Sequence, residues 1–144
     1  MTISELQHYV KCRLNKAEAL VQGGCKAFAE DTRSVYDESN QWISGGKVAL
    51  VVVTPDMTRN GIAENGIPME TKLLVRCVEM APIASSHVMR ALDVAELVGH
   101  ELDGSTFNLE SIRQTADERS KTITATATFN VTVHLTKPTN NEGD

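Results

Sequence analysis

The chain has 144 residues, 41% hydrophobic, 23% charged and only 4% aromatic, with a formal net charge of −5. That length and balance fit one domain that buries its own core, and they exclude a largely disordered chain. The acidic balance argues against a whole-surface grip on nucleic acid. The longest apolar run, the six residues of 48–53, is far too short for the ~20 residues that cross a membrane.

The chain opens as a helix. Thr2 to Glu5 has the T-x-x-E form of a capping box, and Ile3, Leu6, Val10, Leu14 and Ala17 recur at spacings of three and four. Residues 16–22 stay compatible with helix until Gly23 and Gly24 stop it. Residues 1–5 show no basic-then-apolar pattern, and the odd, unpaired set of three cysteines suggests synthesis in a reducing cytoplasm. In residues 25–35, Cys25, Ala27 and Ala29 alternate with polar or aromatic neighbours, which predicts a short strand. Residues 36–46 are polar and read as a loop closed by Gly45 and Gly46. Residues 47–54 are almost uninterrupted Val, Ala and Leu, the pattern of a strand covered on both faces, and Pro55 ends them.

Residues 56–70 contain Asn60-Gly61, Asn65-Gly66 and Pro68, the turn signals of a long projecting loop. Residues 71–80 read as the next strand, so the two strands and their loop predict a hairpin with an extended arm. Pro82 breaks the strand, and Ser85 or Ser86 can cap a second helix. Its stripe is Val88, Ala91, Leu92, Ala95 and Val98, with Leu102 one turn further. Residues 106–113 predict a strand and 114–120 a hairpin tip. From Thr122 to Leu135 the alternation is perfect: Ile123, Ala125, Ala127, Phe129, Val131, Val133 and Leu135 on one face, six threonine, asparagine or histidine positions between them on the other. Such a strand spans roughly 45 Å, enough to leave part of itself for a neighbouring subunit. The whole is therefore read as α+β, an antiparallel or mixed sheet with two main helices packed on one face and a protruding hairpin arm. Residues 1–137 form the domain and 138–144 a flexible polar tail.

No catalytic constellation emerges. The histidines 8, 87, 100 and 134 are scattered; Ser86 beside His87 is accounted for as a helix cap, and no carboxylate is placed to orient a dyad. Gly23-Gly24 and Gly45-Gly46 lack the strand and helix context of a phosphate loop. Three cysteines, Cys12, Cys25 and Cys77, form no CxxC pair, and each lies on or near an apolar face as a small hydrophobe would. Lys11, Arg13 and Lys16 are a solvated helix face, and Glu64, Glu70, Asp117 and Glu118 lack the spacing of a calcium loop. The expectation is a non-enzyme with no catalytic residue, no cofactor and no metal. Trp42 either anchors an interface or folds back on the core.

The order of these parts resembles the phage tail terminator (tail completion) family. Its members are of this length, open with an amphipathic helix, continue through a hairpin, place a second helix after it and finish on a long Thr- and Val-rich strand. The matching parts are residues 3–17, 47–54 with 71–80, 86–102 and 123–135; the helix from Ala91 to Val98 followed by Gly104 is the most similar piece. Residues 25–46 have no counterpart. The resemblance implies a structural virion protein that caps the head-proximal end of a tail tube as a hexameric ring. The ring would end tube polymerisation and offer the head-joining surface. Implied partners are other copies of the chain, the tail-tube protein and a head-completion or neck protein. No membrane is implied, and DNA enters only as cargo passing through the ring. Long strands and an arm supply edges for pairing between subunits. The interface candidates are Trp42, the arm residues Met57, Arg59, Asn60, Ile62, Glu64, Ile67 and Met69, and the outward Thr124, Thr126 and Thr128. The alternatives are another neck or tail component, such as a connector or tube protein, and a small-ligand-binding or enzymatic α+β domain.

Overall fold

Two strands of fourteen residues each form the spine of the molecule. In the computed structural model, which describes residues 1–30, 34–80 and 89–136, the perfectly alternating segment is a strand, Thr122–Leu135. It pairs antiparallel with a second strand, Ile67–Met80, along its whole length, from Ile67 opposite Leu135 to Met80 opposite Thr122. In chain order the elements are α1 (Ile3–Lys16), α2 (Glu18–Gln22), β1 (Cys25–Ala29), α3 (Val35–Ser44), β2 (Val48–Val53), β3 (Met57–Arg59), β4 (Ile67–Met80), α4 (Ala91–Leu102), β5 (Phe107–Asp117) and β6 (Thr122–Leu135). The sheet runs β1-β2-β4-β6-β5, with β3 added beside the start of β4. β1 lies parallel to β2 and every other pairing is antiparallel, so the sheet is mixed and the class is α+β.

The expected helices cover one face. Leu6, Val10 and Leu14 of α1 and Ala91, Val94, Ala95, Val98 and Leu102 of α4 pack on Leu50, Val52, Leu73, Val75, Ala127 and Phe129 of the sheet. Thr2 caps α1, accepting a hydrogen bond from the Glu5 N–H at 3.1 Å. The helix does not run on to Gln22: Ala17 is extended, and a separate turn of helix, α2, follows it. Leu92 was expected in the α4 stripe but is exposed; Val94 takes the inward position.

Three further expectations are corrected. Residues 36–46 are not a loop. Residues 35–44 form α3, which packs Val35 and Ile43 against Phe28, Ala49, Val51 and Val53 on the sheet face opposite α1 and α4. That second layer explains why all six residues of β2 are buried. Residues 56–70 are not one long loop: β3 and the early start of β4 turn the arm into a ribbon, leaving 60–66 as the loop at its tip. Gly66 has φ +129°, and a Cβ there would lie 2.8 Å from the Leu135 carbonyl oxygen, so only glycine fits where the arm meets β6. Finally, β5 continues to Asp117, and the turn begins after it. β5 also carries a bulge between Leu109 and Ser111. The predicted helix caps Ser85 and Ser86, Val88 of its stripe and the tail 138–144 lie outside the described residues.

Candidate functional site

The arm is built from local hydrogen bonds around an apolar exterior. The Asn60 N–H donates to the Pro68 carbonyl at 2.9 Å, Arg59 Nε donates to the Gly61 carbonyl at 3.1 Å, and the Thr71 hydroxyl donates to the Asp56 carbonyl. These bonds fix the ribbon while leaving its large side chains outside. Ile62 is 85% exposed, and Met57 and Ile67 are each more than two-fifths exposed. Three large apolar side chains within eleven residues are thus exposed along the arm. Glu64 is exposed beside them, whereas Met69 is half-buried against the main core.

Thr124, Thr126 and Thr128 lie on the opposite face of the sheet, half-exposed, in the middle of β6. Trp42 is on α3, and it folds back. Its Nε1–H donates to the Val48 carbonyl at 2.9 Å and reaches the Gly24 carbonyl at 3.3 Å. The Lys47 ammonium stands 4.3 Å from its ring centroid and that of Lys26 5.6 Å away. The interface candidates therefore do not converge. Arm, threonine face and tryptophan are three separate surfaces.

Other features are absent from the sequence reading. Tyr9 of α1 stacks on Phe107 of β5 with centroids 6.2 Å apart, walling a groove of about 570 Å³ that runs past Leu6, Arg13, Val133 and His134. Beyond Val131, β6 has β4 on one side only, because β5 begins opposite that residue. A smaller hollow, about 220 Å³, opens between α3 and the sheet and is lined by Tyr36, Asn40, Arg76 and Thr124. Both depend on side chains brought together from four elements, so neither leaves a local signal in the chain.

Glu79 is a charged residue at an inward position, 2% exposed. Its Oε2 accepts the Ala91 N–H at 2.8 Å, and its Oε1 accepts Arg90 Nε at 2.9 Å. The carboxylate thus caps α4 from the neighbouring strand, the favourable end for an anion. The bond to Glu79 and its charge raise the Arg90 pKa further. Arg13 also serves the fold, donating to the Glu101 carbonyl at the end of α4. Cys12 is exposed, against expectation, while Cys25 and Cys77 are buried. Burial pushes the Cys25 thiol up to about 12, and burial together with the nearby Cys25 raises Cys77 as well.

Among the described residues no group of three or more His, Cys, Asp or Glu side chains is placed to hold a metal ion. No helix among them is long and apolar enough to cross a membrane. No model of a known protein family matches this chain, and no characterised protein matches it in sequence.

Proposed function

We propose that this chain is a structural virion protein of the tail terminator kind. Copies would form a ring on the head-proximal end of a phage tail tube, end its polymerisation and present the surface that joins the head. The observation that supports this reading best is the arm, a hydrogen-bonded ribbon that carries its exposed Met57, Ile62 and Ile67 away from the core. A ring needs a contact between two unlike surfaces that closes by rotation. The arm lies on the β2 side of the β4–β6 spine, and β5, the last strand of the sheet, presents its outer edge on the other side. One copy's arm and the next copy's β5 edge are such a pair, and adding a strand to an exposed edge is a common mode of recognition. In this reading the protein is made in the host cytoplasm and resides in the virion, with the tail-tube protein and a neck protein as partners and DNA as passing cargo.

Native mass across a concentration range, with negative-stain imaging of the largest species, tests the proposal. Hexameric rings with a central hole, lost in Ile62→Ser, support it. A protein that stays monomeric at high concentration and also fails to bind tail tubes overturns it. Adding the protein to growing tubes separates the neighbouring readings, since a terminator halts elongation at one end whereas a tube protein extends it.

A further inference from the structure

The outer face of the sheet beyond α3 has an unusual charge pattern. Three successive rows cross it from β4 through β6 to β5. The first holds Val78, Thr124 and Thr115, the second Arg76, Thr126 and Arg113, and the third Leu74, Thr128 and Ser111. None of these nine positions is a carboxylate, in a chain with 19 Asp and Glu against 14 Lys and Arg. Arg76 and Arg113 are both exposed, and neither side chain takes part in an ion pair or hydrogen bond among the described residues. The acids that flank these rows on the same strands are engaged elsewhere, and Asp37 of α3 is exposed. Glu110 is paired with Lys72 at 2.5 Å, Glu70 accepts from Asn130 at 2.8 Å, and Asp117, next to the turn, accepts the Arg119 N–H at 2.9 Å. On the α3 side, Glu38 lies on the far flank of the helix with Lys11 and Lys26.

The geometry suits one kind of ligand. Adjacent strands stand about 4.8 Å apart, which puts the Cα atoms of Arg76 and Arg113 about 10 Å apart with Thr126 between them. Two long guanidinium side chains can lean together over the central hydroxyl and meet an oxyanion there. A carboxylate is satisfied by one arginine fork. A phosphate has enough oxygens and charge for two forks and a hydroxyl. Arg76 also lines the hollow of about 220 Å³, whose floor is Val51 and Ile43 and whose rim is Tyr36, Asn40 and Thr124. That is below the roughly 300–1,000 Å³ of pockets for drug-sized ligands, so the bound group is small.

We propose that Arg76, Thr126 and Arg113 form a phosphate-binding site, and that the hollow beneath α3 takes the organic part of a small phosphomonoester. The site does not depend on ring formation, and ring formation does not depend on it.

Titration of the full chain with adenosine monophosphate, inorganic phosphate and a short single-stranded DNA, followed by calorimetry at low salt, tests this. Adenosine monophosphate is expected to bind more tightly than phosphate. Arg76→Gln and Arg113→Gln each weaken it at least tenfold, Thr126→Val weakens it several-fold, and Lys121→Gln leaves it within twofold. Circular dichroism should be unchanged in all four, because the three charged side chains are exposed and valine suits a strand. Absence of binding at millimolar ligand overturns the proposal, as does equal loss in Lys121→Gln. DNA that binds more tightly than the monophosphate, with a steep salt dependence, overturns the small-ester assignment in favour of a nucleic-acid backbone.

Discussion

The inner and outer faces of β4 and β6 are built from the same strands in alternate residues, yet they have opposite fates. On the inner face Leu73, Val75, Cys77, Ala125, Ala127 and Phe129 have no accessible surface. One residue along from each, the outer face carries Arg76, Thr124, Thr126 and Thr128, all at least partly exposed. The strands themselves do not cause this difference. It follows from what lies over them, α1 and α4 on one side and open solvent on most of the other. The outer face itself confirms the rule at its β2 end, where α3 covers it and the outward residues become Ala49, Val51 and Val53. Apart from Glu79, which caps α4, and Thr71, side-chain polarity on these strands tracks helix cover.

The contrast can be tested hardest through the thiols. Cys77 lies on the inner face next to outward Arg76, and Cys25 is buried on β1, whereas Cys12 is exposed on α1. In a native labelling experiment at mildly alkaline pH, Cys12 should react freely. The two buried thiols should react at least about a thousandfold more slowly, through opening of the fold. Comparable labelling of all three would mean the inner face is open. The pH dependence has a definite sign. Because the folded thiols hold their protons above the ordinary value of 9.0, their contribution to stability is complete below about pH 9. It is lost as pH rises toward about 12, when the unfolded chain ionises and the folded one does not. Urea midpoints that rise through this interval would contradict the burial.

Phe129→Ala should cost about 3–5 kcal/mol in chemical denaturation, the range for emptying a buried aromatic site. Glu79→Ala should cost about 1–3 kcal/mol, because it leaves the Ala91 N–H without its acceptor, and amide exchange should quicken in the first turn of α4. If exchange there is unchanged, the carboxylate is not the cap. Thr128→Ala, one residue from Phe129, should stay within about 0.5 kcal/mol of the parent. A Thr128 cost matching that of Phe129 would mean the two faces are interchanged.

Much of this division is legible in the chain because it repeats. The period of two in β6, the unbroken apolar run of β2 and the three-and-four spacing of α1 each state which side is covered. α3 is hard to read because it needs to cover only the β1–β2 end. Its inward positions are Val35, Ser39 and Ile43, and with a serine in the middle the helical stripe is lost among polar residues. The start of β4 is masked by Pro68, which pairs opposite His134 inside the strand. The arm is recognisable from its turn residues, and Ile62 is one of seven candidate contact residues read within it. Arg76 and Arg113 do not stand out, since nothing local relates positions 76, 126 and 113 until the register of three strands is known.

The bulge in β5 gives that register a counting rule. Without it, odd-numbered positions from Phe107 onward would all face α4, and Arg113 would point into the core. The extra residue at Glu110 reverses the parity, so that Ile112 turns inward and Arg113 outward. A single-residue deletion before position 113 would therefore do more than shorten a strand. It would exchange inside and outside for the rest of it. Natural variants of this hairpin should change length at its tip or in steps of two, and the presence of the bulge should predict which of them keep an arginine on the open face.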